Sequence, residues 1–377
     1  MDFEFSDEQE QLRDAVRRWV DKGFGFERRH ALAKAGGFTR EVLGELNELG
    51  LAGLVVPEAH GGLGFAAVEA MVVMEELGRG LVNAPYAQAA LVAPALLSYG
   101  PAELQQAWLP KIAGGEALLV LAQQERHSRY RLGQVAVRAA EAGGTWKLSG
   151  TKVVVPAGDE ADAFVVSART GGAECDAAGV ALFIVDKAAA GLTLQAYPTQ
   201  DGARAATLVL ADTPATLLTR QGHDALEHAA GVAIAALCAE GVGLMERMLA
   251  VTVDYMRQRK QFGVAIASFQ ALRHRIADVK MQLELGRSMS YYASLKLAEP
   301  AAARRLALSQ AKVQLGQSMR FVGQQCTQLH GGIGVTDEYL SSHYFKRMTV
   351  LELSFGDTLH HLGEASARMR DSAGVFA

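Results

Sequence analysis

Cysteine is scarce in this chain: Cys175, Cys238 and Cys326 are the only three in 377 residues. They are too few for a disulfide framework and too widely spaced for a metal site, so a reducing compartment and no metal are expected. Long wholly apolar runs are also missing. The longest apolar stretch, Ala229 to Ala239, stops at Glu240, well short of the ~20 residues that cross a bilayer, and no membrane partner is expected. Neither sign of charge dominates, since 37 Lys and Arg against 41 Asp and Glu leave a formal net charge of -4. That balance offers no general field to a polyanion and argues against nucleic acid. Asp2, Glu4, Asp7 and Glu8 stand where a secretion signal would be basic and then apolar, so a cytoplasmic location is expected. Internal repeats and low-complexity tracts are absent.

What the chain does have is length and hydrophobic residues, 50% of the total, enough for two or three domains with real cores. Ser6 and Gln9 form a capping-box pattern ahead of Leu12, Val16, Trp19 and Val20, which share one helix face. Helical patterns follow through Val42 to Leu49, Val68 to Leu77 and Leu104 to Ile112, broken by Pro57, Gly61-Gly62 and Gly100-Pro101. A helical domain over 1–118 is predicted. From 119 to 213 the texture changes to short β-rich runs: 146–148, 152–155, 163–167, 180–185, 192–194 and 207–210. Turn pairs such as Ser149-Gly150 and Gly171-Gly172 separate them. Closely spaced strands without intervening helices predict an antiparallel sandwich or barrel.

Beyond His223 the helical period returns. Leu272, Ile276, Val279 and Leu283 make one stripe, and Leu315, Met319, Val322 and Cys326 another, so a helical bundle over 222–377 is predicted. Gly231, Gly241 and Gly243 cost about 1 kcal/mol each against alanine inside a helix, which points to close helix contacts. The expected fold class is therefore multidomain α+β: a helical domain, a β domain and a four-helix bundle.

Two segments carry the chemistry. Arg257, Arg259 and Lys260 lead into Gln261-Phe262-Gly263, with Phe269-Gln270 beyond; read alone, basic residues here complement the negative end of a helix that Gly263 terminates. Gln328-Leu329-His330-Gly331-Gly332-Ile333-Gly334 holds more glycine than a helix cap needs, which exposes backbone N–H groups. These two segments resemble the signatures of the acyl-CoA dehydrogenase family. A weaker likeness runs through Leu49 to Leu54, Val56-Pro57-Glu58 and Gly61 to Gly64, so the resemblance spans the chain. It implies that Arg259 contacts the pyrophosphate of FAD, with Phe262 and Gln270 alongside. It also implies that Gln328, Gly331 and Gly332 meet the adenine and phosphate end of a cofactor held mainly by a neighbouring subunit. His330 is expected to be packed or solvent-facing rather than catalytic.

The likeness fails where the family's base should stand. Phe355 occupies one glutamate position and Ala233 the alternative one. Asp357, Glu352 and Glu240 are the acids nearby; Asp357 is the candidate for a displaced base, and its bland reading is a cap on the final helix. On the flavin side, Gln123-Gln124-Glu125-Arg126 replaces Leu-Thr-Glu-Pro, and Val154-Val155-Pro156 replaces an aromatic-Ile-Thr run, with Pro156 lacking an amide donor. Arg126, Arg129, Tyr130 and Arg131 read as a solvated loop, or more sharply as a contact for CoA phosphates or an acidic partner. The pattern is similar to the small subunits of heteromeric bacterial acyl-CoA dehydrogenases, such as those for pimeloyl-CoA and steroid side chains. It implies an acyl-CoA substrate, FAD shared within a homo- or hetero-oligomer (dimer or tetramer) that includes a second acyl-CoA dehydrogenase subunit, and electron-transferring flavoprotein as acceptor. A self-sufficient homo-oligomer using Asp357 and a non-catalytic scaffold of the same fold are the alternatives.

Overall fold

The structure, a computed structural model, describes residues 5–37 and 40–372; Asp2 and Glu4 lie outside the described residues. Helices α1 (Asp7–Gly23), α2 (Phe26–Lys34), α3 (Arg40–Glu48), α4 (Ala67–Arg79), α5 (Ala93–Leu97) and α6 (Ala102–Ala113) come first. Strands β1 (Leu119–Ala122), β2 (Arg138–Ala142), β3 (Thr145–Pro156), β4 (Ala163–Arg169), β5 (Val180–Asp186), β6 (Leu192–Pro198) and β7 (Arg204–Thr219) follow. Then come α7 (Gly222–Gln258), a hairpin of β8 (Lys260–Gln261) and β9 (Val264–Ala265), α8 (Gln270–Leu295), α9 (Ala301–His330), α10 (Leu340–Leu353) and α11 (Thr358–Ser372). The chain divides into two compact units, one of Met1–Ala31, Ala67–Val82 and Ile234–Ala377, the other of Leu32–Ala66 and Asn83–Ala233.

The first unit is helical. The predicted capping box is present at the start of α1: Ser6 Oγ accepts the Gln9 N–H at 3.2 Å, and Gln9 Oε1 accepts the Ser6 N–H at 3.0 Å. The α9 stripe is inside, and so is half of the α8 stripe, whose Leu272 and Ile276 are only partly buried. Val279 and Leu283 of α8 face Leu315, Met319, Val322 and Cys326 of α9 in one core with Cys238, Val242 and Met245 of α7, each large side chain worth roughly 1.5–3 kcal/mol on burial. Gly241 and Gly243 of α7 mark close approach as expected. A Cβ on Gly241 would lie 2.8 Å from Met319 Sδ, and one on Gly243 would run into the Glu75 carbonyl of α4. Helix α7 corrects one expectation. It is long and apolar enough to span a membrane, but 83% of its most apolar 18-residue stretch is buried within the protein, the mark of a core helix.

The second unit holds the sheet. Strand β4 pairs with β5, β5 with β7, β7 with β3, β3 with β2, and β2 returns to β4 through Arg138 and Arg169, so five strands close a ring. Pairing is antiparallel as predicted, except that β1 and β2 each run parallel to β4; β6 extends the sheet from β7. Residues two apart fill the interior: Phe164, Val166 and Ala168 on β4, Phe183 and Val185 on β5, and Leu208 and Leu210 on β7. The two runs expected at 146–148 and 152–155 are one strand. Gly150, at φ +141, and Val154, at φ +53, sit where the β3–β7 register shifts, so the predicted turn is a pair of bulges. The residues 87–92 form a π-helical turn that runs into α5.

Candidate functional site

The two glycine-bearing signatures meet at one end of the helical unit. Met256 on α7, Ile266 and Leu329 at the end of α9 form a small core, with Tyr255, Leu272 and Ile276 packed on it. Tyr255 seals the junction: its hydroxyl donates to the His330 carbonyl at 3.2 Å, and its ring lies 4.7 Å from the His330 ring. His330 is packed, 2% exposed, and its Nδ1 donates to the Cys326 carbonyl at 2.8 Å; burial holds the imidazole below its usual range, so it is neutral.

Around this core the predicted contact residues are all on the surface. The Arg259 backbone is pinned twice, its N–H to the Tyr255 carbonyl at 2.8 Å and its carbonyl to the Ile266 N–H at 2.8 Å. Its side chain is exposed. Phe262 and Gly263 form the two-residue loop of the β8–β9 hairpin with φ +55 and +81, both positive as a type I′ turn demands. A phenylalanine seldom takes that conformation, and here it leaves the ring 92% exposed with its edge on Phe269, centroids 6.1 Å apart. Gln270 opens α8 and Gln328 lies in the last turn of α9, both exposed. Gly331, at φ +65, ends α9, and a Cβ on Gly331 or Gly332 would meet no atom within 4 Å. A guanidinium, two amides and bare backbone thus border open space, a set of donors that fits a phosphate-bearing dinucleotide arriving from outside the bundle.

The positions where a base was expected are apolar. Ala233 is 2% exposed on α7. Phe355 has φ +55 and packs its ring on the bundle core. Asp357 caps α11, its Oδ1 accepting the His360 N–H at 2.8 Å. Glu352 accepts the Thr358 N–H at 3.0 Å and hydroxyl at 2.7 Å. Glu240 takes two bonds from Arg347 at 2.6 and 2.9 Å. Among the described residues no group of three or more His, Cys, Asp or Glu side chains is placed to hold a metal ion.

In the β-containing unit three amides of the segment 153–157 are committed. Val153 N–H goes to the Gln124 carbonyl at 2.8 Å, Val154 N–H to the Tyr197 hydroxyl at 3.0 Å, and Ala157 N–H to the Arg204 carbonyl at 3.0 Å. Arg126, Arg129 and Arg131 are exposed, with Arg129 over the Tyr130 ring at 5.2 Å. The sequence reading missed two buried lysines, Lys152 and Lys312. Lys312 did leave a signal, for it continues the stripe 315, 319, 322, 326 one helical step back, a cation where an apolar residue belongs.

Family models described as the acyl-CoA dehydrogenase N-terminal, middle and C-terminal domains match residues 6–116, 121–212 and 220–369. The acyl-CoA dehydrogenase IpdE2 of Mycolicibacterium smegmatis is 30% identical over 344 residues, covering 91% of this chain and 92% of that one. Among solved structures, a variant of the Tcur3481-Tcur3483 steroid ACAD superposes with a TM-score of 0.88 at 28% identity, covering 97% of this chain and 99% of that one. A chain of the ChsE4-ChsE5 complex from Mycobacterium tuberculosis does so with a TM-score of 0.87 at 27% identity, covering 100% of both.

Proposed function

The chain belongs to the acyl-CoA dehydrogenase family of FAD-dependent oxidoreductases, and from that premise we propose that it works as the baseless subunit of a heteromeric enzyme. Its three domains are taken as 1–118, 119–213 and 222–377. The reaction removes the α-proton of an acyl-CoA thioester to a base, and FAD, when bound, accepts the β-hydride. In this reading Arg259 holds the pyrophosphate with its planar fork, Phe262 and Gln270 flank the cofactor, and Gln328 with the Gly331–Gly332 backbone receives the adenine end. The partner subunit supplies the base and most contacts to the isoalloxazine.

One contrast carries the proposal. Phe355 and Ala233 stand at the two base positions while Asp357, Glu352 and Glu240 are each engaged in structural bonds, yet the Arg259 and Gly331–Gly332 face stays open. The committed amides of 153–157 support it, since a flavin ring would find few donors there. The two solved relatives carry paired names, Tcur3481-Tcur3483 and ChsE4-ChsE5. Cytoplasmic location and transfer of electrons to an electron-transferring flavoprotein complete the reading. The test is expression of the chain alone and with a partner of the same fold. Alone it is expected to carry substoichiometric flavin that no acyl-CoA bleaches, and with the partner, flavin that is bleached. A yellow, acyl-CoA-reducible protein made of this chain alone would overturn the proposal.

A further inference from the structure

The turn between α10 and α11 is held by two buried side chains for which the reaction has no use. Lys312, on α9 and 1% exposed, donates to the carbonyls of Leu351 and Glu352, each at 2.8 Å, and of Gly356 at 3.0 Å. Two of these carbonyls belong to the last turn of α10, where that of Leu351 also accepts the Ser354 N–H at 3.2 Å, and an ammonium there meets the negative end of the helix. His361, on α11 and 4% exposed, lies with Nε2 at 3.0 Å from the Phe355 carbonyl and Nδ1 at 3.3 Å from Ser309 Oγ. Because a carbonyl only accepts, Nε2 carries the proton and Nδ1 accepts from the serine.

Between these anchors the backbone is in a costly conformation. Phe355 and Gly356 have φ +55 and +115 in succession, and a β-carbon at 356 would crowd both His360 and His361, with His361 Cδ2 at 2.8 Å. Phenylalanine in that region persists only where its surroundings impose it. A donor on each of two successive carbonyls, Phe355 from His361 and Gly356 from Lys312, is such an imposition. Glu352, through Thr358, and Asp357, through His360, close the rest of the loop.

We infer that Lys312 and His361 are positioning residues: together they fix the Phe355–Gly356 turn, and with it the place taken by the side chain at 355. This rests on the reading above only for its bearing on the acyl site, since 355 is where the family carries a base; the lock itself concerns the turn. A lysine buried at this cost is explained by the three carbonyls it satisfies.

The experiment reads the turn directly, in the full chain and without flavin, so its outcome is separate from that of the heteromer proposal. A fluorophenylalanine at 355 is followed by 19F NMR, and amide exchange of 351–360 by mass spectrometry, in the parent, Lys312→Met, His361→Leu and His361→Gln. Lys312→Met and His361→Leu are expected to split or broaden the 19F signal and to speed exchange at 354–357 about tenfold, with β4 and β5 peptides unchanged. His361→Gln keeps a donor near the Nε2 position and is expected to restore the parent spectrum. If Lys312→Met does not fold, the two His361 variants decide the matter. A single unshifted signal with parental exchange in the folded variants would overturn the inference, as would exchange rising equally across the whole chain.

Discussion

Replacing Lys152 by methionine tests whether the barrel depends on a buried charge pair. Lys152 is 0% exposed, and its Nζ sits 2.6 Å from Glu125 Oε1, 2.8 Å from Ser167 Oγ and 3.2 Å from the Gln123 carbonyl. The Glu125 carboxylate also accepts the N–H groups of Ala136 at 2.7 Å and Val137 at 3.2 Å, just ahead of β2. Burial pulls the lysine down to about 8 against the pull of Glu125. Methionine fills the same volume and leaves a buried carboxylate with two amides and no cation. Breaking such a pair costs about 3–5 kcal/mol, and the amides that remain place the loss near the low end, about 3 kcal/mol. Adding Glu125→Gln removes the stranded charge and keeps an acceptor for one amide, so the double variant should recover about half of it. The assay is guanidinium unfolding followed by Trp146, whose ring lies 5.2 Å from Phe183, with the other two tryptophans replaced by phenylalanine. A local probe suits a chain of two units, which need not unfold in one step. A loss under about 1 kcal/mol, or a double variant less stable than the single, would refute the reasoning.

Further outcomes follow from the same geometry. Burial and the nearby Lys312 hold His361 down at about 4 against an ordinary 6.5, with His360 lowering it further and Glu364 opposing. The unfolded chain takes up that proton first, so stability should fall by about 3 kcal/mol as pH drops from 6.5 to 4. Denaturation midpoints of parent and His361→Gln should diverge in that window and run parallel above it. Gly243→Ala should destabilise the helical unit by about 2 kcal/mol, because its methyl meets backbone atoms of α4, although alanine favours an isolated helix by about 1 kcal/mol; thermal melts decide between the two terms. Phe262→Gly should leave stability unchanged or raise it by up to ~1 kcal/mol by releasing a positive φ while weakening flavin retention in the complex, a split that melting and flavin titration report together.

The sequence was most legible where one periodicity ran long. The stripe of α9 and the capping box of α1 appear as read, and the β-rich runs 163–167, 180–185 and 207–210 fall within β4, β5 and β7. Strands were lost where that signal is weak. Leu119–Ala122 is only four residues long, and β2 is a five-residue strand of small and charged residues. At β3 two bulges imitate a turn, because glycine and a positive φ serve both. The two signatures were legible as separate segments, but their junction was not: it depends on Tyr255, Met256, Ile266 and Leu329, ordinary apolar residues that gain meaning only by meeting. Asp357 showed in sequence as both an acid and a cap, and the bond from the His360 amide shows the cap in place. Lys312 and His361 escaped notice because their partners are backbone carbonyls more than 35 residues away for the lysine, and only six away but across a turn for the histidine.

The dissociation constant of FAD from the assembled complex, with Arg259→Gln in this subunit alone, tests most directly whether the bundle grips a cofactor seated in its partner. Loss of a charge-assisted fork to phosphate should raise that constant about tenfold or more while the complex stays intact by native mass spectrometry. An unchanged constant in an intact complex would contradict the account.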